Sequence, residues 1–328
     1  LAVGRPRGVI ATTDADTIVS PTWLTETLRE VALGAEAVGG RVLVSAQERQ
    51  ALAPPVRSRF LRNVGYWALA SEVMARVDPR PGDPWPCHEQ FSGASIAVTA
   101  RAYRRVGGLP PLASSEDAAL AEALERADIE IRHSPAVHIS TSARLIGRAT
   151  GGMADLLASW STRGAAEPFP KRPSASTVVS RATGRRALRD LWRQAQQTRE
   201  VCAAETAHLA DFAGVSEAWL HRAICSAERF GPLLHEVGQL ARWQTSPALV
   251  DVRDAIDELR QWLEPYRRPG APPPIFSRHL AGLPYASPTT RAALHSVPEP
   301  AEAASAPLEE IQPVAALTAP LTSPPHVA

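Results

Sequence analysis

The stretch Val9-Ile10-Ala11-Thr12-Thr13-Asp14-Ala15-Asp16-Thr17 constrains the fold of this chain more than any other. Small and β-branched residues on consecutive positions run straight into two carboxylates one residue apart. That pattern predicts a strand buried on both faces, as in a parallel sheet. Its acids then stand where the strand leaves the C-terminal edge of the sheet, where open α/β sheets bind ligands. Carboxylate oxygens at this spacing suit a hard divalent cation that also takes phosphate oxygens. For an Asp-x-Asp taken alone, the alternative is a solvated acidic turn, and the rest of the chain has to decide.

Composition removes several classes. The chain carries 35 Lys and Arg against 34 Asp and Glu, a net charge of +1, so bulk charge does not point to nucleic acid as a partner. Cys87, Cys202 and Cys225 stand far apart without a Cys-x-x-Cys. That indicates neither a zinc site nor a disulfide framework, and it fits a reducing, cytoplasmic setting. With no run of about 18 apolar residues, no transmembrane segment is expected. A parallel strand needs neighbours on both edges. So few residues precede Val9 that the chain reads as an N-terminally truncated fragment lacking upstream strand–helix units.

Downstream, Ser20-Pro21 predicts a helix start, with Leu24, Leu28 and Val31 on one face. Residues 36–44 read as a second strand in which Gly39-Gly40 marks a close backbone approach. Residues 57–77 have helical rhythm, and four prolines within 78–90 make a loop. Residues 91–98 read as a strand, 100–106 as a short helix ended by Gly107-Gly108, and Ser114-Ser115-Glu116-Asp117 opens another helix. Residues 129–132 and 137–140 read as two short strands split by Pro135. Residues 165–183 are polar and Pro/Ser-bearing, the composition of a linker. Residues 184–265 are purely helical, with Ser246-Pro247 opening the fourth helix of a small bundle. The tail has thirteen prolines in the sixty residues from Pro269. It cannot bury enough surface to offset its chain entropy, so 266–328 is expected to be disordered.

Several residues carry candidate chemistry. Asp117, with Glu116 beside it, is either the acid of a capping box begun at Ser114 or a general base for a hydroxyl. Gly93 allows a ligand close to the backbone. The imidazole of His138 could complete a metal shell begun by Asp16. The planar forks of Arg144 and Arg148 suit a diphosphate, or are solvated surface groups. Trp85 and His88 lie in the Pro-rich loop, where an aromatic either stacks on a sugar or plugs a core edge.

The order of these motifs is more specific than any one of them. TTDADT, then SGASIAVTARAYRRVGGL, then SED, then PAVH resembles the second half of family 2 glycosyltransferases of the GT-A fold, over residues 8–148. The resemblance implies an α/β, Rossmann-like, mostly parallel sheet with flanking helices over residues 1–164, ahead of the helical bundle and tail. It implies Asp16 as chief ligand of Mg²⁺ or Mn²⁺, Asp14 supporting the metal or touching the donor sugar, and His138 as an occasional ligand. Gly93 would lie at the substrate and Asp117 would be the base, with Glu116 adjacent. The implied reaction is inverting transfer of a sugar from a nucleotide-diphosphate sugar to an acceptor hydroxyl. The family's nucleotide-binding units would lie upstream of Leu1, so this stretch alone should bind such a donor poorly. The competing class is a non-catalytic scaffold that keeps a degenerate half of the domain. A metal-dependent phosphotransferase using Asp14 and Asp16 fits less well, for want of a P-loop and a second acidic cluster.

Overall fold

The structure is a computed structural model and describes residues 8–112, 114–147, 152–163 and 167–268. Arg148 and residues 269–328 of the tail expected to be disordered lie outside the described residues, whereas its first residues are ordered, Glu264–Arg267 forming a 3₁₀ turn in which Arg267 pairs with Glu72. The first part of the chain forms β1 (Val9–Thr12), β2 (Thr17–Val19), α1 (Trp23–Ala32), β3 (Ala37–Val44), α2 (Ala46–Ala51) and α3 (Pro54–Val77). A single 3₁₀ turn at Gly93–Ser95 leads into β4 (Ile96–Thr99), α4 (Ala100–Arg105), α5 (Glu116–Arg126), β5 (Ile131–Thr141) and α6 (Met153–Ser161). There follow β6 (Lys171–Pro173), α7 (Ala175–Thr198), α8 (Ala203–Ala213), α9 (Glu217–Ser226), α10 (Phe230–Leu240), α11 (Arg242–Thr245), β7 (Leu249–Asp251) and α12 (Val252–Leu263). Among the described residues no helix is long and apolar enough to cross a membrane.

The class is α/β, but the sheet is mixed where a mostly parallel one was expected. Its order is β1-β4-β3-β5-β2. Only β3 and β5 run parallel; β1–β4, β3–β4 and β2–β5 are antiparallel. The loop after α3 supplies the physical reason. Asp83 bonds the backbone of His133, Gln90 accepts from the Val42 amide, and Gly93 meets Thr12. The loop thus carries the chain along β3 and β5 to the end of the sheet where β1 finishes, and β4 must start there and run back. β1 is also not buried on both faces. It is an edge strand with one partner, half-buried at Val9 and Ile10 and exposed at Ala11 and Thr12.

Close approach explains Gly39 and Gly40. A Cβ on Gly39 would stand 2.6 Å from the Gln90 carbonyl oxygen, and one on Gly40 would strike the Ser95 hydroxyl. Pro135 does not split β5 in two. The register between β3 and β5 slips at Gly40/Arg41, opposite residues 135–137, so the proline is absorbed in an irregularity of one long strand. Helix α1 starts at Trp23 rather than Pro21. It turns Thr27 inward, while Leu24 and Leu28 face solvent.

The expected linker is largely structured. Ser174 caps α7 by accepting from the Thr177 amide, and residues 175–183 form the helix's first half. Its small side chains, Ala175, Val178 and Ala182, pack on Tyr66, Ala70, Val73 and Val77 of α3 and on Val252, Ala255, Leu259 and Leu263 of α12. The second half of α7, through Leu188, Leu191 and Ala195, packs with Leu209, Leu220, Leu233 and Trp243 of the bundle. Leu188, Leu209 and Leu220 are fully buried, each worth about 1.5–3 kcal/mol of transfer free energy. The fourth bundle helix begins at Val252 under an Asp251 cap, after the short strand β7, rather than at Ser246-Pro247. One helix therefore belongs to both cores, and the bundle is docked on the sheet unit.

Candidate active site

The turn between β1 and β2 is closed by Thr17, whose amide and hydroxyl both donate to the Asp14 carbonyl oxygen, at 3.2 and 2.7 Å. That leaves the Asp14 and Asp16 side chains outward. The Thr12 hydroxyl donates to the Gly93 carbonyl at 2.8 Å. The Gly93 amide in turn donates to Asp117 Oδ2 at 3.0 Å. Three stretches that are far apart in sequence meet at Gly93. Behind them, the Trp23 indole donates to Ser95 Oγ at 2.9 Å and steadies the 3₁₀ turn.

Asp117 does not form the capping box considered above. The residue before α5 is Ser115, in left-handed backbone at φ 62°, and its side chain makes no capping bond among the described residues. A non-glycine residue in that region is a strained position of the kind that clusters at functional sites. Asp117 instead holds the amide of Ala118 with Oδ1, at 2.8 Å, and that of Gly93 with Oδ2. Glu116 lies on the same side, with Oε1 4.0 Å from where a Gly93 Cβ would be.

Electrostatically these groups form one cluster. The Asp14 carboxyl is raised above its ordinary value, first by loss of solvent and then by repulsion from Asp16, Asp117 and Glu116; Arg144 opposes the shift. Arg144 Nη2 stands 2.7 Å from Asp16 Oδ2, and both side chains are partly exposed. Glu48 of α2 accepts the Ala143 amide and so pins the segment that carries Arg144. An open cleft of about 380 Å³ adjoins Arg144, walled by Leu52, Val56, Ala143 and Leu145, with Glu48 and Ser161 on its margin.

The structure thus brings Asp14, Asp16, Gly93, Glu116, Asp117 and Arg144 together. It does not bring His138 with them. The strand pairing sets Thr141 opposite Thr17, and His138 lies three residues further back along β5, about 10 Å away by strand rise. Its Nδ1 is 3.1 Å from the Ala136 carbonyl oxygen. Arg148 lies outside the described residues. Glu48 and Trp23, which position the cluster, escaped sequence reasoning. Each acts through a contact across more than seventy residues of chain, with no local motif to flag it.

The donor set can be tested against a divalent cation. Among the described residues, three carboxylates surround that of Asp14, with one guanidinium in opposition. No group of three or more His, Cys, Asp or Glu side chains forms a ready-made metal cage there. Mg²⁺ is commonly held by one or two carboxylates and completed by water and substrate phosphates. The residues fit that mode, and not an all-protein cage. No protein-family model matches this chain, and no curated protein or solved structure matches it either.

Proposed function

We propose that this chain carries the catalytic residues of a glycosyltransferase site, which moves a sugar from a nucleotide-diphosphate donor to an acceptor hydroxyl with inversion. The observation that carries this reading is the convergence on Gly93 of Asp117 with the Asp14/Asp16 turn. Asp117 takes the proton from the acceptor hydroxyl as its oxygen attacks the anomeric carbon. Two backbone amides hold its carboxylate in one orientation. Arg144 exchanges Asp16 for the diphosphate and meets the charge that develops as the leaving group departs. A Mg²⁺ or Mn²⁺ ion held by Asp16 and Asp14 would neutralise charge on that diphosphate.

Asp117→Asn tests the assignment. Transfer should fall by about 10²- to 10⁴-fold, the usual contribution of a general base. Binding of UDP- and GDP-sugars, titrated calorimetrically with and without Mn²⁺, should be retained. Wild-type turnover in the variant would remove Asp117 from the mechanism.

A further inference from the structure

Helix α5 carries Glu116 and Asp117 at one end, and its other end is held by the bundle. Gly231, the second residue of α10, packs on the α5 backbone. A Cβ there would strike the Glu125 carbonyl oxygen and stand 2.9 Å from Arg126 Cα. The Gly231 amide donates to Asp128 Oδ1, just past the helix, where Asp128 adopts left-handed backbone at φ 55°. Arg229 donates to the Arg126 carbonyl at 3.1 Å, satisfying a terminal acceptor of α5. His235 of α10 packs on the α5 ion pair of Glu122, 3.1 Å from Nδ1, and Arg126, which contacts Nε2. From α7, Arg185 reaches Glu125 at 3.9 Å while it is anchored on buried Asp78 at 2.7 Å.

Between these contacts and Asp117 lies a stiff element. The sequence EDAALAEALER has no Gly or Pro and consists mostly of strong helix formers. Eleven residues make a rod of about 16 Å. Ala118, Leu120, Ala121 and Leu124 lie against the sheet core and guide it sideways. The amide-to-carboxylate bond from Gly93 is therefore set by how far along its axis α5 is held, and the bundle holds that axis.

We propose that α10 is a positioning brace for the candidate base: through Gly231, Arg229 and His235 it fixes the far end of α5 and so sets where Asp117 stands against Gly93. The inference rests on the site assignment above for its functional meaning, and on the contacts alone for its mechanics. Gly231, Arg229 and His235 are positioning residues and touch no substrate.

The Gly93 amide is a direct reporter, because it bonds the Asp117 carboxylate. In the full chain, its NMR shift and hydrogen exchange are compared among wild type, Gly231→Ala and the double variant Arg229→Ala/His235→Ala. The amides of Leu209 and Leu220 monitor the bundle core. The expected result is a displaced Gly93 resonance and exchange faster by about tenfold in both variants, with Leu209 and Leu220 still protected in the double variant. A Gly93 amide with wild-type shift and exchange in the double variant overturns the brace, since the sheet core alone would then position α5. Should Gly231→Ala unfold the bundle, as Leu209 and Leu220 would show, the double variant decides by itself. The functional reading fails separately. If Asp117→Asn keeps full transfer while Gly93 still responds to the bundle variants, the brace stands and the base does not.

Discussion

Strand β5 joins two clusters of the same residue types that have opposite character. At its start, the fully buried Asp83 carboxylate is surrounded by donors: Arg80 at 2.7 Å, Arg132 at 3.1 Å, and His133 through Nδ1 and its amide, both at 2.8 Å. Beyond its end, Arg144 faces a group of partly exposed acids that outnumber it. Burial raises both aspartates. For Asp83 it is outweighed by the hydrogen bond and charge of His133 and the charge of Arg80, which hold the carboxyl down to about 2. For Asp14 the neighbouring carboxylates add to the burial effect, and the carboxyl stays raised. A buried charge surrounded by donors is a finished structural element. A cluster with surplus acceptors and solvent access has capacity left for something that arrives from outside.

The largest way to break this contrast is Asp83→Ala. It removes the buried acceptor shared by Arg80, Arg132, the His133 ring and the His133 amide, and should cost about 3–5 kcal/mol of stability in urea unfolding at neutral pH. A cost near zero would mean that the Asp83 cluster is not structural. His88, packed edge-on against the His133 ring, sharpens the point. Burial first, and then the charge of His133, lowers its pKa to about 3. A lowered imidazole contributes stability in full above its unfolded value of about 6.5, and that stability drains away as pH falls from there toward 3. His88→Gln should flatten this acid limb, by about 3 kcal/mol at pH 4, when thermal melts are followed against pH. The Asp83 contribution is lost lower down, between its unfolded value of about 3.9 and about 2. The smallest effect is expected at the other cluster. A raised carboxyl destabilises the fold once it ionises, so Asp14→Asn should stabilise the protein slightly above that range, by no more than about 0.5 kcal/mol. The gain should vanish in acid. A clear loss of stability at pH 7 would mean that Asp14 is a structural residue like Asp83.

Much of the candidate cluster was legible because its members are marked locally: an Asp-x-Asp after a strand, a glycine before one, paired acids at a helix start. The β3 glycines and the long helix α3 were legible for the same reason. Strand direction was not, because alternation and apolarity look alike in either sense, and the reversal of β4 depends on where the loop of residues 78–92 ends. The first half of α7 was missed because Ala, Ser, Thr and Gly give a weak apolar period. Those same small residues let the helix lie close against α3 and α12. Asp83 gave no sign either, since its partner His133 is 50 residues away.

The strand order has a consequence for the acidic turn. β1 and β2 lie at opposite edges of the sheet, yet only residues 13–16 separate them in the chain. Five Cα steps reach at most about 18 Å, whereas four strand spacings across a flat sheet need about 19 Å. The bend at Asp14 shortens the reach further. The sheet therefore has to curl until its two edges can be tied by this strap. Asp14 and Asp16 hang over the open end of the curl because the chain is too short to put them anywhere else.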